Sequence, residues 1–216
     1  MKSVLTIVLF YLINFPLWDF LVAKSMPEEW ASFTVYSLLF VIVLALNFKS
    51  LQEKFRELSV NTKNKFGFLL KLLAIIVISY VAMTLLVLIF DKVFNISILP
   101  QNTENLKSNS EKMPKIITFV MMTIFAPIIE EYVFRESFIA WVDKDKKVLL
   151  ATVTVISVIM FDLIHVINFF EFFYYIPLSV SLTYVYWDNE RNVSSSIIMH
   201  SLTNALGFVM MLIGQL

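Results

Sequence analysis

Residues 116–135 read IITFVMMTIFAPIIEEYVFR: an apolar run from Ile116 to Ile129, then Glu130, Glu131 and Arg135. Ionisable groups at the end of a lipid-suited segment are costly and mark a reaction site or a transport path. On a helix, Glu131 and Arg135 stand at i and i+4 with the acid first, the favourable order for an ion pair. Glu130 lies about 100° away around the helix, so this spacing leaves it unpaired and facing a cavity. Pro127 permits a kink within this span, which is expected to continue toward Trp141.

The rest of the chain extends the same pattern. Hydrophobic residues make up 59% of 216, with three glycines and no cysteine. That composition indicates an all-α, polytopic bundle of about seven transmembrane helices lodged in a lipid bilayer. The net charge is zero, so no basic face invites nucleic acid, and none is expected as a partner. The lack of cysteine removes disulfides, thiolate nucleophiles and thiolate metal sites.

The expected spans follow from the apolar runs. The first starts at Val4 and ends near Lys24, with no small-x-small cleavage site after it, so it is read as a retained helix. Trp30 to Phe48 is the second, and Phe66 to Phe90 the third, where Lys71 can snorkel to the headgroups. Between them, the charged linker Lys49 to Lys65 is expected to lie along the membrane surface. Asp91 to Lys115, bounded by Pro100 and Pro114, is expected to be an exposed loop. After the span bearing the glutamates come Val148 to Phe170, Phe172 to Trp187 and Val193 to Ile213. The aromatic stretch Phe169 to Tyr175 reads as an interface belt.

Placing the N-terminus inside puts Lys2, the five basic residues from Lys49 to Lys65, Lys144, Lys146, Lys147 and Arg191 on one side. Lys24, Lys92, Lys107, Lys112 and Lys115 fall on the other, and ten against five favours the first side as cytoplasmic. The lysines after Trp141 suggest in addition that the cavity opens toward the cytoplasm of a bacterial cell.

Both histidines fall in expected spans. Phe161 and His165 share one helical face, as do His200 and Asn204. A free glutamate with a neutral histidine can activate water, while a second histidine and an asparagine amide can donate to an oxyanion. Hydrolysis of an acyl bond within the membrane, a peptide bond in the first place, is the chemistry this set suggests. Taken singly, each group has a structural alternative: an ion pair at a helix end, an interfacial histidine, or hydrogen-bonding between helices. One difficulty is depth. His165 lies about 26 Å along its helix from Val148, but His200 only about 10 Å from Val193.

The series EExxxR at Glu130, Glu131 and Arg135, FxxxH at Phe161 and His165, and HxxxN at His200 and Asn204 resembles the CPBP (Abi) family, which includes the type II CAAX prenyl endopeptidases. The resemblance covers roughly the last hundred residues and implies an intramembrane endopeptidase acting on a membrane-associated peptide or protein. It implies a single membrane domain over 1–216, with 1–114 as scaffold and 115–213 as catalytic core. Glu130 and His165 would activate water, His200 and Asn204 would stabilise the oxyanion, and Glu131 with Arg135 would shape the site. A non-catalytic immunity or regulatory protein that binds membrane peptides is the alternative. No cofactor is favoured; if zinc is present, its ligands would be His165, His200 and Glu130. Asp162 departs from the usual small or apolar residue, and either orients His165 or serves packing.

Overall fold

The computed structural model describes residues 2–98 and 101–214, so Pro100 lies outside the described residues. Among the described residues every regular element is helical. Helices α1 (Lys2–Asn14) and α2 (Pro16–Ala23) are separated at Phe15, because Pro16 brings no N–H to the ladder. A left-handed Ser25 turns the chain, and Pro27 starts α3 (Glu28–Asn61), whose first turn carries Glu28 and Glu29 at the favourable end of the helix dipole.

Helix α3 corrects one expectation. It runs for 34 residues without a break, so Lys49 to Asn61 continues the second span instead of lying on the surface as a separate segment. Neither glycine nor proline interrupts it, and Leu51 and Leu58 remain buried along its charged end. At about 1.5 Å per residue it is some 50 Å long, well beyond a hydrocarbon core of about 30 Å.

Helix α4 (Lys65–Phe94) begins where Asn64 Oδ1 accepts from Gly67 N at 2.8 Å, and stops at Asn95 in the left-handed region. A second correction follows. The expected loop between Asp91 and Lys115 contains α5 (Gln101–Lys112), a polar helix, in a stretch with no glycine or proline before Pro114. Then come α6 (Lys115–Ser137), α7 (Lys147–Leu163), α8 (Glu171–Asp188) and α9 (Val193–Leu212).

Five helical stretches are long and apolar enough to cross a membrane: Ser3–Ala23, α3, α4, α6 and α9. The remaining two expected spans correspond to α7, of 17 residues, and α8, of 18, with Glu171 and Asp188 at its ends. Helix α8 packs along α4 through Ser79 Oγ donating to Ser181 Oγ at 2.7 Å and an aromatic contact between Phe90 and Phe173. Lys71 does not simply snorkel; it pairs with Asp188 at 2.6 Å. The outer face of α4, with Val77, Ile78, Val81 and Leu85, is exposed and apolar, as contact with lipid requires.

Helix α6 carries the most consequential local structure. It widens into π-helix at Met121–Phe125 and again at Tyr132–Ser137. In the first, Ala126 N–H is given to Met121 O, five residues back. The residue five beyond Met122 is Pro127, which has no N–H, so the Met122 carbonyl has no partner within its own helix. Pro127 therefore shapes a register shift where a simple kink was expected.

Candidate active site

Glu130 and Glu131 are both buried on the short α-helical stretch between the two π segments. Glu130 Oε2 stands 3.6 Å from His165 Nε2 and 3.8 Å from His200 Nε2. Its other oxygen, Oε1, accepts from the Tyr36 hydroxyl at 3.3 Å. The spacing argument left Glu130 without a partner; the structure gives it one from α3. Tyr36 was missed because a tyrosine within an apolar span carries no motif, and only the fold brings it 94 positions across the chain.

Glu131 reaches Arg135 with Oε2 to Nε at 3.4 Å, the i, i+4 geometry. Its Oε1 also lies 3.0 Å from His200 Nδ1, so His200 bridges the two glutamates. The guanidinium of Arg135 is wholly buried. It donates to the Ser179 carbonyl at 3.3 Å and lies 4.5 Å from the centroid of the Phe161 ring. Phe161 itself meets the Arg135 guanidinium, the His165 ring at 4.7 Å and the His200 ring at 5.7 Å, with the Phe134 ring edge-on at 5.5 Å.

His165 does not sit on a helix face. Helix α7 ends at Leu163, and His165 stands in the loop to α8. That placement removes the depth difficulty, since a loop residue is free of the helix register that kept His165 and His200 apart. The loop is held by the buried Glu171, whose carboxylate accepts from Ile167 N at 2.9 Å and from Asn168 Nδ2. His165 Nδ1 faces the Phe161 carbonyl at 2.7 Å. Asp162 therefore does not set this ring's tautomer; its carboxylate is buried beside Ser179.

These contacts assign protons. A carbonyl only accepts, so His165 Nδ1 carries hydrogen; Glu131, paired to Arg135, likewise calls for hydrogen on His200 Nδ1. In their neutral forms both Nε2 atoms then present lone pairs to Glu130 Oε2. Three acceptors converge on one region, which suits a water or a proton that can satisfy them.

Asn204 Nδ2 donates to the Met122 carbonyl at 2.8 Å, the group stranded by Pro127. One amide N–H is thus committed to α6 and the other remains. On the second π segment, the Phe134 carbonyl similarly accepts from Ser157 Oγ on α7. Side chains of α7 and α9 thereby hold α6 in its widened form.

Glu130, His165, His200, Asn204 and Tyr36 line a cavity of about 460 Å³, within the range of small-ligand and substrate sites. Asn14, Trp18, Glu28, Asn105, Ser108 and Lys112 also border it. This rim lies at the end of the bundle opposite Lys144, Lys146 and Lys147. The lysines after Trp141 therefore do not mark the mouth. An inside N-terminus and a cytoplasmic mouth, both expected from sequence, do not hold together in this fold.

The fold and this buried constellation define a polytopic helical membrane protein with a polar site inside the bundle. Residues 112–206 match the family described as type II CAAX prenyl endopeptidase Rce1-like, and over this segment the chain is similar to that family. Two relatives come from Lactococcus lactis subsp. lactis (strain IL1403). UPF0177 protein YbdI is 34% identical over 88 residues, 41% of this chain and 45% of that protein. UPF0177 protein YaiF is 33% identical over 91 residues, 42% of this chain and 39% of its own length. The matched region thus spans less than half of either relative. No solved structure matches. Tyr36 lies outside the family-matched segment.

The Met122–Asn204 contact makes a testable demand. Asn204→Ala strands a buried carbonyl and should lower stability by about 1–3 kcal/mol. In that background Pro127→Ala supplies an N–H and should recover part of the loss, whereas alone it should not stabilise. Thermal unfolding in detergent of the two single variants and the double variant reads the coupling directly.

Proposed function

We propose that this protein is an intramembrane endopeptidase that hydrolyses a peptide bond in a membrane-associated peptide or protein, in a bacterial cell membrane. The observation that carries the reading is the approach of both histidine Nε2 atoms to one oxygen of Glu130 at the cavity wall. The similarity of residues 112–206 to the Rce1-like family supports the same reaction class.

The chemistry follows from the donors and acceptors. Water held against Glu130 and His165 gives up a proton to this pair as its oxygen attacks the substrate carbonyl carbon. Negative charge develops on the carbonyl oxygen. The free N–H of Asn204 donates to it, and so does His200 Nε2 when His200 is protonated and Glu131 balances the imidazolium charge. The carbon–nitrogen bond then breaks, and the proton taken from water passes to the departing amine. Glu131 and Arg135 do not touch the reacting atoms; they position His200 and Phe161. Tyr36 steers the Glu130 carboxylate by occupying its second oxygen.

The proposed reaction needs no metal. Among the described residues, no three or more His, Cys, Asp or Glu side chains are arranged to hold one. Without a metal each side chain keeps a role: Glu130 and His165 on water, His200 and Asn204 on the oxyanion, Glu131 on Arg135. A zinc mechanism would also require a separate base, and Glu131 is committed to Arg135 and His200. Activity should survive dialysis against a strong chelator, with less than one equivalent of zinc by elemental analysis. Stoichiometric zinc, with activity lost on chelation and restored by metal, would make both histidines ligands.

Glu130→Gln should abolish cleavage of membrane peptides, read by mass spectrometry, while the unfolding temperature in detergent stays near that of the parent. Near-parental cleavage by this variant would remove Glu130 from its role. Glu131→Gln should reduce activity together with stability, by about 3–5 kcal/mol, because Arg135 is left buried without its counter-charge. Tyr36→Phe should slow turnover by about ten- to hundredfold, the worth of one hydrogen bond to a charged group, with substrate affinity and unfolding little changed. A loss confined to affinity would assign Tyr36 to substrate binding instead.

A further inference from the structure

The bundle has two chemically different ends. At one, Asn192 Nδ2 donates to the Lys54 carbonyl at 2.9 Å, Lys144 pairs with Glu190 at 3.1 Å, and Arg191 donates to the Val142 carbonyl at 2.8 Å. These contacts gather the end of α3, the α6–α7 turn and the α8–α9 turn, with the start of α4 tied in through Lys71 and Asp188. The start of α1 falls at the same end, since Thr6 meets Asn47 far along α3. Lys2, Lys49, Lys54, Arg56, Lys63, Lys65, Lys144, Lys146, Lys147 and Arg191 all belong here.

The other end comprises the α2–α3 turn, the close of α4, α5, the start of α6 and the α7–α8 loop. It carries Lys24, Lys92, Lys107, Lys112 and Lys115. The cavity opens at this end, between Asn14, Trp18, Glu28 and the α5 residues Asn105, Ser108 and Lys112. None of the ten basic residues of the first end borders the cavity.

Membrane proteins retain the lysine- and arginine-rich short segments in the cytoplasm. Here they are short turns and a helix extension directly abutting the spans, the setting in which that bias acts most strongly. We propose that the cavity mouth faces away from the cytoplasm and admits peptide segments presented at the outer surface of the membrane. The substrate class, resting on the peptidase reading above, is an exported or outward-facing stretch of a membrane-attached peptide. A C-terminal segment exposed in the cytoplasm is not such a substrate. The acidic Glu28 and Glu29 and the polar face of α5 give this mouth a hydrated rim where such a segment can approach.

The absence of cysteine makes the test direct. Asn105→Cys and Asp145→Cys, both exposed and outside the polar cluster, are made singly in the full chain and expressed in cells. A membrane-impermeant maleimide should label Asn105→Cys in intact cells and leave Asp145→Cys unlabelled until lysis. Glu28→Cys and Asn61→Cys, likewise exposed at the two ends, form an independent pair that should divide the same way. Labelling of Asp145→Cys and Asn61→Cys outside, with Asn105→Cys and Glu28→Cys protected, would overturn the proposal and turn the mouth to the cytoplasm. Labelling does not depend on cleavage. A protein that labels as expected but cleaves nothing would count against the peptidase reading alone.

Discussion

One buried cation organises the site. Arg135 has no exposed surface, and a guanidinium in such surroundings survives only if the fold supplies compensating charge and acceptors. Glu131 supplies the charge, the Ser179 carbonyl an acceptor, and the Phe161 ring a polarisable face. Those three partners come from α6, α8 and α7. Satisfying Arg135 therefore fixes the relative placement of three helices. The same Phe161 ring contacts both imidazoles, so the requirement to neutralise one arginine also orients the two histidines.

A second constraint acts through the backbone of α6. A regular α-helix with proline at position 127 would leave the carbonyl of Thr123 short of a donor; the π register transfers that deficit to Met122. Asn204 on α9 meets it. A polar side chain drawn to a stranded carbonyl is strongly held, because the alternative in a poorly hydrated interior is an unsatisfied group. The contact places Asn204 one helical turn beyond His200 on α9 and aims both into the cavity. Proline in a membrane helix here does more than bend it: it creates a docking point for the helix that brings the second histidine.

The sequence made the helical class, the Glu131–Arg135 pair and the shared face of His200 and Asn204 legible, because each depends on local periodicity; His165 was legible through the family resemblance of its motif. Less legible were features decided by what fails to interrupt a helix. Lys49 to Asn61 and Gln101 to Lys112 have polar surfaces, yet neither contains glycine or proline, so helical hydrogen bonding persists through charge patterns that suggested surface linker and loop. His165 was placed on a helix because its apolar surroundings gave no stop signal; the helix ends at Leu163 and Asn168 with Glu171 shapes the turn that follows. Tyr36 was out of reach of any periodicity argument, since its partner lies in a distant span.

The lysines at 144, 146 and 147 were misleading for a related reason. They follow the acidic pair closely along the chain, and proximity in sequence suggested proximity to the mouth. Yet α6 runs from the cavity rim near Lys112 and Met113 inward to the glutamates, then continues away from the cavity to reach those lysines. By helical rise Glu130 lies about 22 Å from the start of α6 at Lys115 and only about 10 Å from its end at Ser137. The site is thus deep when approached from its mouth and shallow when measured from the closed end. The packing of Tyr132, Val133, Phe134, Ile139 and Val142, all buried, seals that shorter route. Water or any other molecule reaching Glu130 through the cavity therefore takes the longer path, past Tyr36. This geometry makes the N-terminal helices a wall of the cavity as well as a scaffold.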